Sequence, residues 1–255
     1  STIKNAHACY PFPIPKTGAE AMWNHLLKFG PTERGRGQSF VVYANGRAIM
    51  ASETVAEIET PYWDTKKSST DYYRLLKLSF KGPARRAGEG ILKYDPLNTT
   101  EHPTRAWLYL PGQRRVKLAP DLSHDAPDAA TSGATTFDDN FVFNGSLERF
   151  NWKLVGRKEM YVPYNSYKMA YHSKPAELFK PNHLNPDYVR WELHRVWVVE
   201  ATLKPGKRHI YHKRTFYLDE DSWAAVASDQ YDARGQIYRS GFVYITPSYD
   251  YPAPL

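Results

Sequence analysis

Between residues 191 and 203 large apolar side chains alternate with polar ones. Trp191, Leu193, Trp197, Val199, Ala201 and Leu203 fall on one parity, opposite Arg190, Glu192, His194, Glu200 and Thr202, and only Arg195 interrupts the apolar row. A period of two over this length predicts a strand with one face in the core. Pro205-Gly206 turns the chain into a second strand at 208–218, Asp219-Glu220-Asp221 into a third at 223–231, and Ala233-Arg234-Gly235 into a fourth at 236–245. Four strands joined by short turns predict an up-and-down meander.

The first half of the chain carries the same pattern in shorter pieces. Asn45-Gly46, the residue pair that best suits a tight hairpin turn, separates apolar runs at 40–43 and 48–50. Further strands are expected at 52–59, 72–81, 90–94, 105–110 and 115–118, with Pro111-Gly112 turning the last pair, and then at 147–155 and 158–163 around Gly156. Residues 121–140 and 174–187 read as long connections, the first of them mobile. One segment has a helical period instead. Thr17 and Glu20 have capping-box spacing, residues 19–29 are rich in helix formers, and Gly30 stands where a left-handed C-cap would close the turn. Met22, Leu26 and Phe29, flanked by Trp23 and Leu27, form an apolar stripe, while Pro11, Pro13 and Pro15 keep the preceding stretch extended. The fold class expected is mainly β: a single curved antiparallel sheet in one domain over residues 1–255, wrapped around the early helix, because strand twist accumulates and a long meander cannot stay flat.

Composition adds to this picture chiefly through its aromatic residues. Nineteen Tyr, seven Trp and 11 Phe favour pleated, half-buried surfaces over helix. The formal charge of +7 would draw the chain towards phosphates or an anionic membrane surface, but the cations are scattered among 27 acids and read as a solvated face. Cys9 is the single cysteine, so no internal disulfide can form. No run approaches the roughly 20 apolar residues of a membrane-spanning helix. The opening Ser1-Thr2-Ile3-Lys4-Asn5 lacks an initiator Met, as expected where a targeting segment has been removed or left out.

Candidate chemistry is sparse. His194, His209 and His212 would come near one another across the Pro205-Gly206 turn, but His209 and His212 point to opposite faces of one strand, which argues against a metal centre. Asp219-Glu220-Asp221 reads as solvated acids of a hairpin turn, the paired acids Asp138-Asp139 lack the spacing of a calcium loop, and no nucleophile elbow, phosphate-cradling glycine loop or zinc-protease helix occurs. Aromatics interleaved with cations at 211–217 suit cross-strand packing better than base stacking, so no nucleic-acid partner is expected. No cofactor and no catalytic residue are expected.

The stretch Ala106-Trp107-Leu108-Tyr109-Leu110-Pro111-Gly112-Gln113-Arg114-Arg115-Val116 resembles the Trp-x-Tyr-Leu-Pro hairpin of outer-membrane lipoprotein-sorting-like proteins. Met22-Trp23-Asn24-His25, residues 158–165, His194-Arg195-Val196-Trp197 and residues 217–223 are similar to blocks of a proteobacterial periplasmic family of unassigned function. The resemblance implies a periplasmic location, an unclosed antiparallel barrel draped over helices as in the LolA/LolB-like fold, and an apolar cavity between. It also implies a fragment, since members are longer. The family offers no catalytic residues to carry over, so the ligand is argued physically. A chain of about 16 carbons gains on the order of 12 kcal/mol on burial before ordering costs, which no polar contact matches. The expected lining is Trp107, Tyr109, Trp191, Trp197, Val199, Phe216 and Leu218 on the strands, with Met22 and Leu26 on the helix. The expected function is a non-catalytic carrier of a lipid or other hydrophobic compound. Its rivals are a module that docks on an envelope protein, then an enzyme acting on a hydrophobic substrate.

Overall fold

The computed structural model describes residues 3–4, 6–119, 122, 124–249 and 253–254. The chain forms two compact units, one of Ser1–Cys9 with Gly30–Phe137 and the other of Tyr10–Phe29 with Asp138–Leu255.

Helix α1 (Gly18–Leu26) belongs to the second unit. Its capping box is present: the Thr17 hydroxyl accepts the Glu20 N–H at 3.2 Å, and the Glu20 carboxylate accepts the Thr17 N–H at 3.3 Å. The helix stops short of the expected Gly30 cap. Lys28 N–H bonds back to His25 O, tightening the last turn, and the Phe29 N–H is taken by the Tyr10 hydroxyl at 3.3 Å. Gly18 is where α1 meets the sheet, since a Cβ there would stand 2.8 Å from the Lys153 backbone.

The first unit is a six-stranded antiparallel sheet. Its strands are β1 (Glu33–Val42), β2 (Ala48–Glu59), β3 (Tyr72–Gly82), β4 (Gly90–Pro96), β5 (Arg105–Leu110) and β6 (Arg115–Leu118), in that spatial order. The β1–β2 hairpin falls where Asn45-Gly46 predicts it, with Gly46 at φ 81° donating to Tyr43 O. One face of this sheet is core. Phe80 and Ile91 pack there with Phe137, alongside Leu78, Leu108 and the alanines of the segment after β6. That segment, expected to be mobile, is pinned where it is described: Ser52 Oγ donates to Ala130 O at 2.6 Å, and Asp128 accepts the Ala130 N–H at 2.8 Å. Asp121 and Ser123 of the expected loop lie outside the described residues.

The second unit holds β7 (Phe150–Pro163), α2 (Tyr167–His172), α3 (Pro175–Leu178), the short pair β8 (Phe179–Lys180) and β9 (His183–Leu184), then β10 (Trp191–Leu203), β11 (Lys213–Asp219), β12 (Ala225–Tyr231) and β13 (Ile237–Phe242). The four-strand meander of the sequence is present, with β7 added outside β10 in the order β13-β12-β11-β10-β7. Residues 147–155 and 158–163 do not make two strands. Residues 150–163 form one, after a 3-10 turn at Leu147–Arg149, with Gly156 at φ 147° in a bulge where the register with β10 shifts. The bulge swaps faces: Met160 and Val162 pack with Val196 on one side, whereas Trp152 stacks on Phe216 on the other.

The chain is mainly β, antiparallel and unclosed, as the pattern predicts. Its strands are shared between two principal sheets, where one continuous sheet was expected. The interruption is the polar stretch after β6, which covers a face of the first sheet instead of extending it.

Candidate functional site

Two rows of the ladder define one face of the first sheet. Lys77, Leu92, Trp107 and Leu118 lie side by side across β3 to β6, and Ser79, Gly90, Tyr109 and Val116 form the next row. Residues directly opposite share a face, so this is the side away from Phe80 and Ile91. It opens into a cleft of about 580 Å³ lined by Leu92, Trp107, Tyr109 and Val116, with Lys77 and Lys81 among its polar residues. Tyr94 meets Trp107 edge-on at 5.2 Å and fixes the indole. Tyr109 is 39% exposed and Val116 63%, an apolar surface open to solvent. Lys77 pairs with Glu57 at 2.6 Å, and that hydrogen bond holds the Glu57 carboxyl below its ordinary range.

The nine expected lining residues therefore separate. Trp107 and Tyr109 share this cleft. Met22, Leu26, Val199, Phe216 and Leu218 are buried in the second unit and line neither this cleft nor the next. Phe216 is packed between Trp152 and Phe143, at 5.8 Å and 5.5 Å. Trp197 lines a different cleft, in the second unit. Trp191 stands 44% exposed and Leu193 58%, so the N-terminal part of the expected core-facing row is open. Cover over β10 changes sides along its length, and at that end the buried residue is Val196, packed against Val162, Val226 and Ile245.

The histidines do not gather. His194 Nδ1 is 2.8 Å from Asp219 Oδ1, while His209 Nε2 donates to Asp138 Oδ2 at 2.9 Å and its Nδ1 accepts the Tyr211 N–H. His194, Asp219 and Asp221 bring ligand-type atoms within 4.8 Å of one another, but these donors are largely engaged already, with Ser222 on the second Asp219 oxygen at 2.6 Å. Burial alone would lower the His194 pKa; the hydrogen bond and charge of Asp219, with Glu192 adding, outweigh it and raise the value. Asp138 and Asp139, which lack any motif, accept from the fully buried Arg214 at 2.7 Å and 2.9 Å. The guanidinium lies over the rings of Phe143, Tyr211 and Phe216. Cation–aromatic interleaving at 211–217 thus serves core packing. Among the described residues no helix is long and apolar enough to cross a membrane.

An unclosed antiparallel β protein carrying an open apolar cleft falls in the structural class of lipoprotein-sorting-like folds. The fold is similar to a Vibrio parahaemolyticus domain named for outer membrane lipoprotein sorting, with TM-score 0.59 and 14% identity, covering 93% of this chain and 81% of that one. A LolA superfamily protein of Nitrosomonas europaea aligns at TM-score 0.48 and 10% identity, over 94% and 83% of the two chains. The chain belongs to the family described as protein of unknown function DUF1329, whose model matches residues 1–255. An uncharacterized protein of Pseudomonas aeruginosa is 40% identical over 258 residues, covering 99% of this chain and 56% of the relative. The chain thus spans about half the length of that relative, and the resemblance read from the Trp107 hairpin holds.

Proposed function

We propose that this chain is a non-catalytic carrier that sequesters a lipid or other hydrophobic compound in the bacterial periplasm, as part of a longer protein. The observation that carries the reading is the cleft on the first sheet, where Leu92, Trp107, Tyr109 and Val116 present apolar surface beside Lys77 and Lys81. A tail laid on those side chains leaves water, and Lys81 stands where an acidic head would lie. The likeness of the fold to a lipoprotein-sorting domain supports it.

Organic extraction of the purified protein is expected to release an apolar molecule, and a fluorescent fatty acid to bind saturably. Tyr109→Asp places a charge in the cleft without touching the core, and should weaken that binding at least about tenfold. Protein that extracts clean and takes up no fatty acid would overturn the reading.

One observation favours a second role, docking on an envelope protein. Tyr161 and Leu193 lie opposite each other on β7 and β10, both exposed, and Trp191 meets Phe242 edge-on at 5.9 Å, so a bare apolar patch marks that end of the second sheet. Loss of envelope cross-links in Leu193→Asp, with fatty-acid binding intact, would establish it.

A further inference from the structure

Resting on the carrier reading, we propose that the cleft of the first unit takes one alkyl chain ended by a single anionic group, a carboxylate or a phosphate monoester, with that group at Lys81.

The cleft is a trough one strand wide. Gly88, just ahead of β4, and Gly90, its first residue, both line it and bring no side chain to its floor. A Cβ at Gly90 would stand 3.9 Å from the Tyr109 Cβ, so the empty position lies beside that side chain. The walls are Ser79 and Lys81 from β3 and Trp107 and Tyr109 from β5, the strands on either side of β4. Two inter-strand spacings separate those walls by about 9–10 Å. Carbon atoms pack at about 3.5–4 Å, so one alkyl chain between the walls needs about 8 Å and two need about 12 Å. The trough holds one.

Its two ends differ. The register sets Lys77 level with Leu92 and Ser79 level with Gly90, which leaves Lys81 at the Gly88 end. Leu92 and Trp107 make the far end apolar, four residues or about 13 Å along the strand. A chain lying in the trough therefore has one cationic end and one greasy end to choose between.

The charges decide the head. Lys77 is committed to Glu57 at 2.6 Å, which Arg34 also approaches at 3.5 Å, and Glu53 is met by Arg36 at 3.4 Å. Glu89, the carboxylate lining the cleft, is held by Arg86 at 2.8 Å. Lys81 makes no ion pair among the described residues and acts on Glu57 through its charge alone. On this face four cations, Arg34, Arg36, Lys77 and Lys81, stand against Glu53 and Glu57. An anionic head gains a partner at Lys81, a neutral head gains none, and a cationic head is repelled. A two-chain lipid would leave its second chain in water.

The test titrates the 255-residue chain by calorimetry with dodecanoate, dodecyl phosphate, dodecanol and dodecylammonium, each below its micelle concentration. At low salt both anions should bind about two- to fivefold tighter than dodecanol, as one exposed ion pair allows, and dodecylammonium weaker than dodecanol. The advantage of the anions should shrink at about 0.5 M salt, where exposed charges are screened. Lys81→Gln should bring the anions to the affinity of dodecanol, and Lys81→Glu should reverse the order in favour of dodecylammonium. Gly90→Val fills the trough at a position where a Cβ meets only ordinary contacts, and should weaken all four ligands at least about tenfold. From an equimolar mixture of lauroyl lysophosphatidylglycerol and dilauroyl phosphatidylglycerol, native mass spectrometry should show the one-chain adduct in at least about tenfold excess. Dodecanol matching the anions at low salt, an order indifferent to both Lys81 substitutions, or equal adducts of the two lipids would overturn this proposal and leave the carrier reading standing. No saturable binding by any of the four, or binding unmoved by Gly90→Val, would remove the cleft from both.

Discussion

Asp95 lies buried between Lys93 at 2.9 Å and Arg74 at 3.0 Å. Burial alone would raise its carboxyl; the charges of Lys93 and Arg74 outweigh that and hold it below the ordinary carboxylate value. Asp95→Asn removes the anion and leaves both cations in a dry site, so it should cost about 3–5 kcal/mol, measured by urea unfolding. A core that tolerated the change at under about 1 kcal/mol would show the triad to be well hydrated. At this scale Trp107 and Tyr109 were legible, because a local hairpin motif and strand parity place them together. Tyr10, Arg157, Glu220 and Trp223 were not, because tertiary folding alone brings them to Trp197. The pairing of Asp138 and Asp139 with Arg214 was illegible for the same reason, the partners being 75 or more residues apart.

Among the elements, α1 and β7 depend on one contact without a side chain. A methyl at Gly18 would press on the Lys153 backbone, so Gly18→Ala is expected to destabilise by about 1–3 kcal/mol despite alanine's better helix propensity. An unchanged or raised melting temperature would show that α1 can ride up on the strand. Starts of elements were written locally, in the Thr17–Glu20 box and the Asn45-Gly46 turn. Their ends and continuity were not. Helix α1 ends where a distant tyrosine hydroxyl takes its next N–H, and β7 runs through Gly156 because β10 pairs with both halves.

For the whole molecule these groups shape stability against pH. The Asp95 contribution is present above the unfolded carboxyl value and is lost as pH falls through the lower folded one. His194 works the other way: its raised folded pKa gives stability that is full below the unfolded value of about 6.5 and is lost as pH rises through the folded value. Urea titrations should therefore show stability falling on both sides of a mildly acidic optimum. His194→Gln should flatten only the alkaline limb, and an unchanged limb would remove His194 from the account. The mainly β, antiparallel class was legible from period and turns, whereas the partition into two sheets was not, since it depends on where a polar stretch folds back. That partition leaves β1, β6, β7 and β13 as outermost strands, each with a row of backbone donors and acceptors that a neighbouring copy could zip onto. Arg34 and Arg36, Arg115 and Lys117, Lys153 and Arg157, and Arg239 are set along those margins. Charged side chains along an open edge disfavour pairing with a second copy of that edge, so these residues oppose edge-to-edge association.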